Sequence, residues 1–465
     1  MSKVERDAEV TTARPVRRYV AASPLKNILK TSLPAVVDLS SQTIMWTIEA
    51  ILIGKLSAAD FAGVAMAIQI VILFFTVILT FVVGSSLIIS RHVGAGEDWE
   101  ANHILGQSLM IGVIVAVLFS AIWYGGAVYL FQLIRHEGTE AARAAGVTYL
   151  RTVAVFGPFI ILNFIAVGIV RGSGDTHYSM IINVLINGLN LVLAPLLIFG
   201  LFGFPRLEVR GAALAVGISH SVGFVATFVL LRSHKSRIFL SFRELTTPNW
   251  RSLRRLFNAG FPTTVEQLVW AVAQFIMMSY AAMLGVTALA AHGVLLRIQG
   301  VLSMIYLGFG VGAMTLMGQN LGASDRQLAE RTAHTANAVV GVFVTAIVAA
   351  LVLFSDEIVR LFVTSDHQVV SLGARVLYVF AVVQIPKAMG GVIMGHLRGA
   401  GDLRWLMWLA VISSAIFEVG FGWLVTFILG AGLLGIWSVH TVGEFARLAL
   451  NIWRFRGGHW KFIDI

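Results

Sequence analysis

Asp38 and Glu49 stand in LPAVVDLSSQTIMWTIEAILIG (33–54), an otherwise apolar run long enough to cross a bilayer. A charge at mid-membrane costs at least about 2.5–3.5 kcal/mol, so it persists only facing protein or water and is a functional candidate by default. Eleven residues at 100° each return the two acids to one helical face, about 16 Å apart along the axis, with Gln42 and Met45 on the same stripe. Glu266, Trp270 and Gln274 make a matching stripe at i, i+4 and i+8. A carboxyl kept from bulk water can exchange a proton near neutral pH or lose it to Na⁺, which is the chemistry of an ion-coupling site. The alternative, a hydrogen-bond acceptor inside a helix bundle, stays open for Asp38, Glu49 and Glu266.

Other polar residues also interrupt apolar runs. Lys387 follows Pro386 in VVQIPKAMGG, where the proline bends a helix and frees a carbonyl. The equivalent place earlier in the chain is Pro158, followed by Phe159. Lys387 can pair with Glu266 or Glu418, make a cavity less welcoming to cations, or snorkel to an interface. Glu418, Glu444 and Arg447 fit a structural ion pair. Asn183, Asn187 and Asn190 recur every three or four residues in INVLINGLNLVLAPLLIFG. Such a ladder glues helices or lines a pathway, and the pathway is favoured for Asn190. In RGSGD (171–175) and RGAGD (398–402) the glycines permit tight turns, with Arg171–Asp175 and Arg398–Asp402 as structural latches.

Several chemistries are excluded. There is no G-x-x-x-x-G-K-[ST] phosphate loop and no His/Glu spacing of a zinc site. His292 and His440 read as packed donors. The absence of Cys removes thiolate nucleophiles and thiolate metal ligands. No cofactor is expected, and no metal beyond the coupling ion.

The elements that position these residues are membrane helices. Of 465 residues, 57% are hydrophobic and 12% charged, against about a quarter charged in a soluble protein. The net charge of +10 comes without a basic cluster interleaved with stacking aromatics, so nucleic acid is not a partner. Twelve apolar runs are long enough to span: 33–55, 61–89, 104–132, 147–170, 179–202, 211–231, 259–284, 288–318, 335–354, 371–397, 403–429 and 432–452. The N-terminal segment, the even-numbered connections and the tail hold 23 Lys and Arg, the odd-numbered connections six. That bias, with Arg14, Arg17 and Arg18 before the first span, puts both termini in the cytoplasm. The expected parts are a cytoplasmic segment 1–32, a lobe 33–231, a basic cytoplasmic linker 232–258 lying on the anionic membrane surface, a lobe 259–452 and a tail 453–465.

The two lobes repeat each other. LPAVVD (33–38) matches FPTTVE (261–266), RHVGAGED (91–98) matches QNLGASDR (319–326), and RGSGD (171–175) matches RGAGD (398–402). The order is the same in both halves, and the spacing between partners is constant to within one position. Each half has an even number of spans, so the repeats are parallel, related by an axis along the membrane normal. The expected fold is an all-α integral membrane protein of twelve helices, in two pseudo-symmetric six-helix bundles flanking a central cavity.

Together with IEAILIGKLSAADFAG, GQNLGASD and LIFGLFGFPRLEVRGAALA, these motifs resemble the multidrug and toxic compound extrusion (MATE) family over about residues 25–460. The family belongs to the multidrug/oligosaccharidyl-lipid/polysaccharide flippase superfamily. The resemblance implies two lobes, alternating access, and export of cationic amphipathic compounds in exchange for H⁺ or Na⁺. It assigns Asp38 and Asn190 to the ion site of the first lobe, also the place for Na⁺, and Glu266 to that of the second. Glu49 stands where the family often has Asp. One turn after Asn190, where one branch has Asp, the chain has Ala194 and Pro195; in span 10, where other branches have Asp, it has Lys387. The resulting expectation is an H⁺-coupled exporter, since Ala194 removes one oxygen ligand a Na⁺ site would use. Gln42, Glu49, Asn187, Trp270, Gln274 and Lys387 are expected to line its substrate cavity. The expected setting is a monomer in the bacterial inner membrane, with a small-molecule substrate and the lipid bilayer as its partners. The alternatives are a lipid-linked oligosaccharide flippase and, more distantly, a membrane-embedded transferase.

Overall fold

The structure is a computed structural model that describes residues 23–132, 140–360 and 367–463. Arg14, Arg17 and Arg18 lie outside the described residues. All regular structure among the described residues is helical. Twelve long helical segments follow one another: α1 Pro24–Gly54, α2 Ala58–Ala95, α3 Asp98–Gln132, α4 Glu140–Gly172, α5 Thr176–Phe199, α6 Glu208–Arg232, α7 Trp250–Met283, α8 Val286–Gly322, α9 Arg326–Leu353, α10 His367–Gly399, α11 Leu403–Ser413 and α12 Gly432–Arg456. Beyond Ser413, α11 continues as π-helix over Ser414–Phe421 and Leu424–Ile428.

By length and composition, ten helices of the described residues can cross a membrane, the run Leu403–Ile428 among them. The other two expected spans are α7 and α12, helices of 34 and 25 residues. Arg251, Arg254, Arg255 and Glu266 dilute the apolar character of α7, as Glu444, Arg447, Arg454 and Arg456 dilute that of α12.

Local chemistry fixes the helix ends. The Ser57 hydroxyl caps α2 by accepting the Asp60 N–H at 3.0 Å. At its other end Gly96 turns left-handed at φ 76° and returns its N–H to His92 and Val93. Gly174 and Gly401 take φ 95° and 88° in the two RG-x-GD turns, the conformation that glycine allows there.

The chain forms two compact units. The described part of one is Val37–Gly260; the other takes Ser23–Val36 and Phe261–Ile465. In the first, α4 is the most buried span and packs on α2, α3 and α6; in the second, α10 holds that position against α8, α9 and α12. Small residues allow these close approaches. Gly63 of α2 lies on Ala142 and Gly146 of α4, and Gly310 of α8 lies on Gly395 of α10.

The helices bearing the acids contribute to both units. In the second unit, Ser32 and Val36 of α1 pack onto Gly312 and Gly308 of α8. In the first, Leu256 and Gly260 of α7 pack onto Gly84 and Thr80 of α2. Gly312 and Gly308 occupy the places in the second half that Gly84 and Thr80 hold in the first, so the exchange follows the internal repeat.

The linker after α6 is bound to the first unit. Phe239 donates its N–H to Asn102 at 2.7 Å, Gln107 donates to the Thr247 carbonyl at 2.8 Å, and His103 meets Glu244 at 2.5 Å. Ile238 and Leu240 of this linker are buried in protein. The tail after α12 is held in the same way. Lys461 pairs with Glu330 at 2.7 Å, and Glu330 is the repeat counterpart of Asn102.

Candidate functional site

Asp38 lies one turn after Pro34 and is 1% exposed. Three side chains converge on its carboxylate. Arg171 brings Nη2 to 2.9 Å of Oδ2, Ser179 donates its hydroxyl to Oδ2 at 3.0 Å, and Asn183 donates Nδ2 to Oδ1 at 2.6 Å. Arg171 ends α4, while Ser179 and Asn183 share one face of α5. A turn further on, Asn187 donates to the Ser41 hydroxyl at 2.8 Å, and Ser41 donates to the Asp38 carbonyl at 2.7 Å. The Ser179 hydroxyl has a second acceptor, the Thr176 carbonyl at 2.9 Å, and one proton to give.

The second unit holds the related pair. Glu266 is 6% exposed and meets Arg398 Nη2 at 2.5 Å. The expected latches within the RG-x-GD turns are therefore corrected. A helical side chain leans toward the N-terminus of its helix, so Arg171 and Arg398 reach back to Asp38 and Glu266. The aspartates of the turns instead hold the linker after α6 and the end of α12. Asp175 accepts from the Ser236 hydroxyl at 2.6 Å and the Arg237 N–H at 2.7 Å; Asp402 accepts from Arg454 Nε at 2.7 Å.

Asn190 is buried, but it stands two turns beyond Asn183, about 10 Å along α5. Asn183, rather than Asn190, supplies the amide that donates to Asp38. Glu49 is buried and accepts the Tyr149 hydroxyl at 3.3 Å, separately from the Asp38 cluster. Gln42 and Gln274 are partly exposed and Trp270 is half-exposed.

Lys387 pairs with Glu444 at 3.5 Å, so of the alternatives open for it, the pairing with Glu266 or Glu418 is corrected. Those two acids are already taken, by Arg398 and by Arg447. Arg447 Nη2 lies 2.9 and 2.8 Å from the two Glu418 oxygens, and Nη1 lies 3.1 Å from Glu444. His440 joins this expected ion group, with Nδ1 3.2 Å from Glu418 and Nε2 3.8 Å from Glu444. His292 is fully buried, and neither ring nitrogen has a hydrogen-bond partner among the described residues, which corrects its reading as a packed donor.

Sequence reasoning missed the two arginines as partners of the acids. The signal was available: Arg171 and Arg398 recur with Asp38 and Glu266 at nearly the same offset.

Comparison with known proteins gives the same duplication. The MatE family model matches twice, over residues 34–196 and 262–424. A probable multidrug resistance protein NorM of Thermotoga maritima is 24% identical over 437 residues, 94% of this chain and 93% of that protein. A probable multidrug resistance protein NorM of Bradyrhizobium diazoefficiens is 29% identical over 441 residues, 92% of each chain. Among solved structures, an outward-facing multidrug resistance MATE family transporter of the MOP superfamily aligns with a TM-score of 0.88 at 23% identity, over 97% of this chain and 100% of that one. A MOP superfamily transporter from Pyrococcus furiosus, whose binding pocket is described as having reverse polarity, aligns with a TM-score of 0.87 at 23% identity, with the same coverage.

Proposed function

Because the chain belongs to the multidrug and toxic compound extrusion family of membrane transporters, we propose that it exports small amphipathic, drug-like compounds in exchange for H⁺ by alternating access. The observation that carries this reading is Asp38, an acid inside a span, buried and held by Arg171, Ser179 and Asn183. The multidrug resistance names of its relatives support the substrate class.

Protonation removes the charge that holds Arg171. Ser179 can then give its single hydroxyl proton to the Thr176 carbonyl instead. Helix α1 loses ties to α4 and α5 in one step. A proton thereby favours one arrangement of α1 over another, and a substrate that prefers the other arrangement is coupled to it. Na⁺ suits the site less well, because the Arg171 guanidinium lies against the oxygens that would ligate it.

Gln42, Trp270 and Gln274 are the proposed substrate contacts, with Glu49 and Asn187 lining the path on the first-unit helices. Lys387 is left to its network with Glu444. Arg171, Arg398, Lys387 and Arg447 are each tied to a carboxylate, which favours a drug-like substrate over the pyrophosphate of a lipid-linked sugar. The lobes proposed to move are 33–231 and 259–452. The protein is proposed to act as a monomer in the bacterial inner membrane, with the termini and the linker in the cytoplasm.

In proteoliposomes, Asp38→Asn is expected to insert normally and to lose export driven by a pH gradient. Normal export by that variant would contradict the proposal.

A further inference from the structure

The second unit carries a buried group of charges for which the first has no counterpart. Lys387 comes from α10, Glu418 from the π-helical continuation of α11, and His440, Glu444 and Arg447 from α12. In the first unit Phe159 stands at the place of Lys387, and α6 has no acid between Val209 and Leu231. The repeat folds without such a network, so the fold does not require it. Buried ion pairs are poor sources of net stability, and ionisable groups inside a membrane are functional candidates by default.

Lys387 and Arg447 balance Glu418 and Glu444, so the one charge left open is that of His440. Its ring lies between the two acids, with Nδ1 3.2 Å from Glu418 Oε1 and Nε2 3.8 Å from Glu444 Oε1. A neutral imidazole has one N–H and can serve one of these carboxylates; an imidazolium has two and serves both. Glu418 sits inside the stretch Ser414–Phe421, where the helix widens to π geometry, a distortion frequent at functional sites. His292 is a second buried base beside the group. Its ring lies 5.6 Å from that of Trp437, which lies 5.7 Å from His440. Its nitrogens have no partner among the described residues. The titratable or charged groups facing His440 are thus Glu418 from π-helix, Lys387 from α10, Glu444 and Arg447 from its own helix, and His292 of α8 across Trp437. A divalent cation would have to displace Arg447 and Lys387 from both carboxylates, whereas a proton displaces nothing.

We infer that the His440–Glu418–Glu444 group is a second proton-binding site, taking up one proton in addition to the one assigned to Asp38. The two sites belong to different units, so each can be removed without the other. The test is the number of protons bound by the full-length protein in lipid nanodiscs, titrated across about pH 5–8, where histidine changes charge. His440→Gln is expected to bind about one proton fewer per chain than the wild type across that range. The same difference is expected between Asp38→Asn and the double variant, so failure of the Asp38 reading leaves this result intact. Trp437 provides a second readout that does not depend on how well His440→Gln folds. Its emission is expected to change with the protonation of His440, and Glu418→Gln, which keeps the imidazole but removes a carboxylate partner, is expected to move that step to more acid pH. Equal proton counts with and without His440, or an emission step that Glu418→Gln leaves in place, would overturn the assignment.

Discussion

Asp38 and Glu266 occupy matching places in the repeat and each binds the arginine of an RG-x-GD turn, yet their surroundings differ. Around Asp38, α5 adds the Ser179 hydroxyl and the Asn183 amide. At the corresponding places of the repeat, α11 presents Leu406 and Ala410. The polar residues of the second unit lie further along, at Ser413, where the α-helix ends, and at Ser414 and Glu418 in the π-helical stretch, and Arg447 draws them together. One ancestral arrangement has thus diverged. The first unit keeps a carboxylate on which an arginine, a hydroxyl and an amide converge; the second keeps a simple ion pair there and has built a denser network elsewhere in its core.

This contrast can be broken experimentally. The largest effect is expected from Arg447→Met, which leaves Glu418 and Glu444 buried without their shared counter-ion. A loss of about 3–5 kcal/mol is expected, measured as a lower unfolding midpoint in detergent; an unchanged midpoint would mean that the network is not under electrostatic tension. Next, Asn183→Leu removes a donor to a charged acceptor and is expected to cost about 1.5–3 kcal/mol in the same assay. Ala410→Asn is expected to give no matching gain near Glu266, because Arg398 already holds that acid.

Smaller effects sharpen the assignment of roles. Glu266→Gln is expected to keep proton-driven transport within about threefold of wild type, less than about 1 kcal/mol in the barrier. A loss as deep as that of Asp38→Asn would make the two acids equivalent and erase the contrast. Asp402→Asn removes the charge of an acid that is 7% exposed, from its pair with Arg454, 26% exposed, but keeps an oxygen that can accept, and is expected to cost about 1 kcal/mol. Proteolysis of the tail should report it as a modest rise in cleavage.

Much of the architecture was legible in the sequence because hydropathy and repeats are long-range averages. Apolar runs of bilayer length give the helices, and three motifs at one spacing give the duplication. What could not be read was which side chains meet across helices. Arg171 lies about one turn from Asp175 and four spans from Asp38, so proximity along the chain suggested the wrong partner, although the lean of helical side chains pointed to the right one. Lys387 had two acids within plausible reach and no spacing rule to choose between them. Asn183 and Asn190 share a face of α5, and only the height of Asp38 beside that helix separates them. The π-helical turn at Glu418 leaves no mark in composition, and without it the place of Glu418 beside His440 could not be foreseen.

The proposed coupling step is exchange of a proton at Asp38 against its tie to Arg171 during export. It is tested most directly by substrate flux in proteoliposomes under an imposed pH gradient or an imposed Na⁺ gradient, for the wild type and for Asp38→Asn. Flux is expected in the wild type under the pH gradient alone, and none in the variant under either. Flux that requires Na⁺ alone, or flux in Asp38→Asn equal to wild type under the pH gradient, would contradict it.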